Sequence, residues 1–92
     1  MKIKFQYTSQ IAMLANREEE IIDLPDKSTI QQAFKKLLSN KSEEFKKLIF
    51  TNSNSLLQAI LLIKNDNQIE YDDATPLENG DTIIIFSPMS GG

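Results

Sequence analysis

The spacing of apolar residues changes twice along this chain, and that change restricts the fold more than any other feature. Over Lys2–Tyr7 the period is two: Ile3, Phe5 and Tyr7 alternate with Lys2, Lys4 and Gln6. Such alternation belongs to a half-buried strand. From Ile30 to Leu38 the period becomes helical, with Ile30, Ala33, Phe34, Leu37 and Leu38 at i, i+3, i+4, i+7 and i+8. That stripe must be covered by a sheet or another helix. Thr82–Phe86 is dense in β-branched residues and predicts a central strand. A chain of 92 residues suits one domain with one core, so strands at both ends and a helix between them imply an α+β, two-layer fold.

The remaining segments fit this frame. Residues 9–16 carry Ile11, Leu14 and Ala15 at helical spacing and predict a short helical turn. Residues 18–24 read as a second strand beside the first, with Ile22 and Leu24 toward the core and Pro25 ending it, since proline cannot donate to a ladder. Ser28 and Gln31 fit a capping box at the start of the main helix. Ser42-Glu43-Glu44 opens a second, shorter helix with Phe45, Leu48 and Ile49 on one side, its glutamates at the positive end. Residues 51–55 are polar and read as loop. Residues 56–64 are nearly all apolar, as in a strand with both faces covered or one face at an interface. A turn at Asn65-Asp66-Asn67, a short strand over residues 68–71 and a loop ending in Asn79-Gly80 lead to the last strand. The expected architecture is a mixed four- to five-stranded sheet packed by one main helix.

Composition removes several function classes. Thirteen acidic against ten basic residues give a formal charge of −3. A nucleic-acid binder concentrates basic residues to neutralise phosphates, and no such excess exists. No cysteine and no histidine occur, which removes disulfides, a thiolate nucleophile and the usual zinc sites. No GxxxxGK[ST] phosphate loop is present. The first residues lack the apolar core of about 7–15 residues found in a secretory signal. The apolar stretch at residues 59–63 is far short of the ~20 needed to span a bilayer. A cytoplasmic protein without nucleic-acid or membrane partners is expected. Asp66, Asp72 and Asp73 lack the spacing of a calcium loop. Glu18-Glu19-Glu20 reads as a solvated face.

The chain closes on Ser87-Pro88-Met89-Ser90-Gly91-Gly92, with no periodicity of its own. Preceded by Leu77-Glu78-Asn79-Gly80-Asp81 and a strand of five, this ending resembles the C-terminal signature of the β-grasp, ubiquitin-like sulfur carriers. That family includes the small subunit of molybdopterin synthase, the thiamin sulfur carrier and the eukaryotic ubiquitin-related modifier. The first strand, the segment from Gln10 to Leu14 and the helical insertion before Leu56 resemble the molybdopterin synthase small subunit most. The chain departs from the family pattern at Ser87, where many members have a second proline. It also departs at Met89, usually a small aliphatic residue, and at Ala12-Met13, often a charged pair.

The resemblance implies a β-grasp domain over residues 1–86 and a flexible tail over residues 87–92. It implies that Gly92, with Gly91 beside it, is the reacting end. An adenylyltransferase of the ubiquitin-activating type, using ATP and magnesium, activates the Gly92 carboxylate. A persulfide donor then converts it to a thiocarboxylate. The large subunit of molybdopterin synthase is the expected delivery partner in molybdenum cofactor biosynthesis. Thiamin synthesis, tRNA thiolation, amino-acid biosynthesis and conjugation to proteins are the alternatives within that chemistry. A noncovalent β-grasp module is the alternative outside it. In this reading the chain binds no cofactor and is not catalytic alone. Glycine suits the role because it enters a narrow tunnel and leaves the carbonyl unhindered. Pro88 restricts the root of the tail. Docking is expected on the sheet face away from the helix, through Phe86, Met89 and Tyr7, with Pro88 and Ser90 following the tail into the partner. For Tyr7 and Phe86 the competing reading is an ordinary core position.

Overall fold

The alternation of the first strand carries through to the folded chain: Ile3, Phe5 and Tyr7 are buried, while Lys2, Lys4 and Gln6 face outward. The computed structural model describes residues 1–50, 56, 57 and 59–87. In these, the chain forms β1 (Lys2–Tyr7), α1 (Ser9–Ala15), β2 (Glu19–Asp23), α2 (Ile30–Leu38), α3 (Glu43–Ile49), β3 (Leu61–Lys64), β4 (Asn67–Ile69) and β5 (Thr82–Phe86). The sheet has five strands in the order β2-β1-β5-β3-β4. The first and last strands of the chain lie side by side and parallel, with Phe5 opposite Ile83 and Tyr7 opposite Ile85. The other neighbouring pairs are antiparallel.

One face of this sheet is the core. Ile3, Phe5, Tyr7, Leu62, Ile83 and Ile85 meet Ile30, Ala33, Phe34 and Leu37 of α2, with Phe45 and Ile49 of α3. Phe34 is fully buried and lies edge-to-face against Phe5 at 5.4 Å, Phe50 at 5.7 Å and Tyr71 at 5.5 Å. Edge-to-face contact sets the positive ring edge against the negative face, worth ~0.5–1.5 kcal/mol per pair beyond area burial. The helices start and stop where local chemistry allows. Ser42 caps α3, its hydroxyl accepting from Phe45 N–H at 3.1 Å. Asn16 closes α1 in the left-handed region at φ 58°, a position asparagine tolerates.

Three expectations are corrected. The capping box lies one residue later: Thr29 is the N-cap, and its N–H donates to Gln32 Oε1 at 2.8 Å. Ser28 is instead tied back, its hydroxyl donating to Pro25 O at 2.7 Å. Among the described residues of the apolar run 56–64, the strand covers Leu61–Lys64. The start of the run serves α3, for Leu56 bridges Phe50 and Leu57 N–H donates to Ile49 O, and a strand can extend only as far as its neighbours. The following short strand is Asn67–Ile69, because Asn65 and Asp66 alone make the turn, both at positive φ. Two such residues twist a hairpin in the sense its strands need. The loop expected at residues 51–55 lies outside the described residues.

The segment before β5 is held by side chains. Asp81 is nearly buried, and its carboxylate accepts from Glu78 N–H at 2.8 Å and from Asn65 Nδ2 at 2.7 Å. Asn65 Oδ1 accepts from Thr82 N–H at 3.0 Å, and Asn79 Oδ1 from Lys2 N–H at 2.8 Å. Gly80 sits at φ 92° and donates its N–H to Lys2 O at 2.9 Å. That φ strains any residue with a Cβ. We expect Asp81→Ala to strand two donors and cost about 2–3 kcal/mol in urea unfolding, in the range for hydrogen bonds to charged groups. A cost under about 0.5 kcal/mol, typical of an idle surface position, contradicts this role.

Candidate functional site

β5 delivers the chain to its C-terminal segment, so the geometry around its far end decides what that segment can do. Thr8 stands there. Its hydroxyl donates to Ile85 O at 3.2 Å and accepts from Ser87 N–H at 3.0 Å. Pro88, Met89, Ser90, Gly91 and Gly92 lie outside the described residues.

The outer face of the sheet is apolar along two strands. Leu61 stands opposite Phe86, and Ile63 opposite Ile84. Phe86 is 39% exposed and Leu61 36%, with Ile63 and Ile84 half-buried. Gln6 flanks Ile84 on β1 and Gln68 flanks Ile63 on β4. An apolar centre with a polar rim is the anatomy of a protein interface. Phe86 is thus exposed on the sheet face away from the helices. Leu61, Ile63 and Ile84 join it, as the interface reading of the apolar run at residues 56–64 allowed for the first two. Beyond Thr8, α1 presents Met13, 80% exposed, and Leu14, also exposed. The helical spacing grouped Leu14 with Ile11 and Ala15, but only Ile11 of the three is fully buried, and Met13 was given no role of its own. The signal was the apolar Ala12-Met13 where the family pattern has charge.

Tyr7 is corrected: it is a core residue, 5% exposed, on the opposite face from Phe86. Its ring lies edge-to-face with Phe45 at 5.7 Å, and its hydroxyl donates to Glu20 Oε1 at 2.7 Å. Burial pushes the Tyr7 phenol far above its usual range, and the Glu20 carboxylate adds to the effect. Glu20 also takes Lys41 Nζ at 2.9 Å and Arg17 at 3.4 Å. Partial burial alone would raise Glu20, but hydrogen bonds from Lys41 and Tyr7 hold it below its usual range. A carboxyl with a depressed folded-state pKa stabilises the fold fully above its unfolded value near 4.5. That contribution disappears as pH falls through the lower folded value. Glu20→Gln is therefore expected to cost about 1–3 kcal/mol at pH 7, and the gap to wild type should narrow below pH 4.5. A gap that stays constant with pH contradicts the network.

The helix side has an open cleft of about 720 Å³ over Phe34, Phe50 and Tyr71, edged by Lys35, Lys46 and Lys47. Among the described residues its one carboxylate, Glu43, is paired with Lys46 at 3.6 Å, and no nucleophile–base pair lines it. Among the described residues no group of three or more potential ligands is placed to hold a metal ion. Among them, too, no helix is long and apolar enough to cross a membrane.

Comparison with known proteins agrees with this arrangement. The model of the ThiS family matches residues 5–92. A search of curated proteins returned no match. Among solved structures, SAMP1 from Haloferax volcanii superposes with a TM-score of 0.88 at 18% identity, covering 100% of both chains. Urm1 from Trypanosoma brucei superposes at 0.75 and 22% identity, covering 99% of this chain and 95% of that one. In the complex of subunits 1 and 2 of the molybdopterin-converting factor from Helicobacter pylori, the matched chain superposes at 0.60 and 23% identity, with 100% of both chains covered. These likenesses establish the β-grasp, ubiquitin-like fold.

Proposed function

This chain belongs to the ThiS family of ubiquitin-like sulfur carriers and modifiers, and on that premise we propose that it carries sulfur as a thiocarboxylate on Gly92. The observation that supports the reading most is the family match running through residue 92, on a domain whose central strand feeds directly into the Gly-Gly segment. Residues 1–86 are the docking body in this reading, and residues 87–92 are the reacting tail.

The chemistry divides between this chain and its partners. A carboxylate oxygen of Gly92 attacks the α-phosphorus of ATP held with magnesium by an adenylyltransferase, and pyrophosphate leaves. The terminal sulfur of a persulfide donor attacks the acyl carbon, AMP leaves with the C–O bond electrons, and an acyl disulfide forms. A second thiol of the partner attacks the donor sulfur and breaks the S–S bond, releasing the thiocarboxylate. This chain supplies the acyl group and no acid or base. Gly91 and Gly92 leave the carbonyl open to both attacks. Pro88, Met89 and Ser90 line the approach, and Phe86 with Leu61 and Ile84 docks the body.

A synthase large subunit in molybdopterin formation is our preferred acceptor side, supported by the likeness to the molybdopterin-converting factor complex. Protein conjugation is the second reading, supported by the closer superposition on SAMP1, a small archaeal modifier protein. The use of ATP and persulfide sulfur assigns the work to the cytoplasm.

Incubation with ATP, magnesium and the adenylyltransferase of the same host should release pyrophosphate. Removing Gly91 and Gly92 should abolish release without changing the melting temperature; release from the truncated chain contradicts the proposal. Phe86→Ala is expected to weaken partner binding about tenfold or more, as for a central aromatic anchor, with the fold intact. Unchanged affinity removes the outer face from the docking surface.

A further inference from the structure

Thr8 occupies the N-cap position of α1, where threonine ordinarily turns its hydroxyl onto the backbone of the helix. Here it does not: no side-chain cap bond is formed. The Thr8 carbonyl still accepts from Ile11 and Ala12 N–H, so the helix starts, but the hydroxyl is diverted across to β5. It bridges Ile85 O and Ser87 N–H, on either side of Phe86. The residue after Ser87 is proline, which has no N–H to donate. Ser87 N–H is therefore the last amide before a position where the ladder cannot continue, and a side chain holds it.

From this diversion we infer that Thr8 is a positioning residue that fixes where the sheet ends and the reacting segment begins. The inference rests on the reading that Gly92 is adenylated. Gly92 lies five residues beyond Ser87, a span of at most about 17 Å. Proline also biases Ser87 toward an extended backbone. Removing the Thr8 hydroxyl takes one restraint from Ser87, and the order so lost must be regained each time Gly92 enters the partner. Phe86, the exposed aromatic of the outer face, lies between the two atoms that Thr8 grips. The same hydroxyl thus ties together the two residues that flank the docking anchor.

The test is steady-state pyrophosphate release with the host adenylyltransferase, using wild type, Thr8→Val and Thr8→Ser. Valine keeps the shape and removes both hydrogen bonds; serine restores them. Ordering Ser87 again predicts a rise of about tenfold in the KM for the Thr8→Val carrier. The kcat should stay within about twofold, and Thr8→Ser should lie near wild type. An unchanged KM for Thr8→Val overturns the inference, as does a serine variant no better than valine. Amide exchange separates this from the carrier reading. In wild type the Ser87 amide should exchange about tenfold or more slowly than a free amide, and Thr8→Val should lose that protection while β5 keeps its own. If wild type releases no pyrophosphate, the carrier reading fails by itself. An unprotected Ser87 amide in wild type overturns the role of Thr8 whatever the activity and whatever the stability of the variants.

Discussion

The sheet, and with it the proposed site, depends on β5 being held at both ends between β1 and β3. At its start, the Asp81 carboxylate gathers Glu78 N–H and Asn65 Nδ2, and Asn65 returns a bond to Thr82 N–H. At its finish, the Thr8 hydroxyl takes Ile85 O and Ser87 N–H. Between these clamps β5 pairs with β1 on one side and β3 on the other. A strand so enclosed presents few ways to fray, because each buried amide must find another partner if it leaves. The strand nearest the C-terminal segment is thus also among the best anchored.

The period-two geometry of that strand divides the labour between its faces. Ile83 and Ile85 turn inward to the α2 and α3 side, while Ile84 and Phe86 turn outward. The inward residues supply core, where Phe34, Phe50 and Tyr71 form a ring of edge-to-face contacts. The outward residues leave apolar surface that a small domain can spare for a partner. A domain of this size buries only about two-thirds of its chain surface. The proposed placement of the chemistry in a tail and in partner proteins would need no deep site in so small a core.

The strands Lys2–Tyr7 and Thr82–Phe86 and the helix Ile30–Leu38 were legible because each shows a clean period over enough residues to exclude the alternatives. The burial of Tyr7 was legible too, since it shares parity with Ile3 and Phe5; placing it at an interface ran against its own alternation. Other features were set by contacts the local sequence does not encode. Ser28 and Thr29 can both cap a helix, with Gln31 and Gln32 both able to answer. Thr29 won because Ser28 is held by Pro25 O and by Leu77 N–H, which donates to Ser28 O. The apolar run before Lys64 gave no sign of where the strand begins, because its neighbours decide that. The role of Thr8 could not be read locally, for its partners lie 77 and 79 residues away. The Gly-Gly ending was legible as a motif, and the period of Thr82–Phe86 placed Phe86 on the face opposite Ile83 and Ile85.

The intact mass of the protein purified from its native host tests the central claim most directly, with tandem fragmentation to locate any modification. Exchange of one carboxylate oxygen for sulfur adds about 16 Da, a shift that methionine oxidation nearly matches, so the fragment bearing Gly92 must carry it. Added mass on Gly92 is the result the account predicts. A Gly92 that stays unmodified, even after ATP, the host adenylyltransferase and a persulfide donor are supplied, contradicts it.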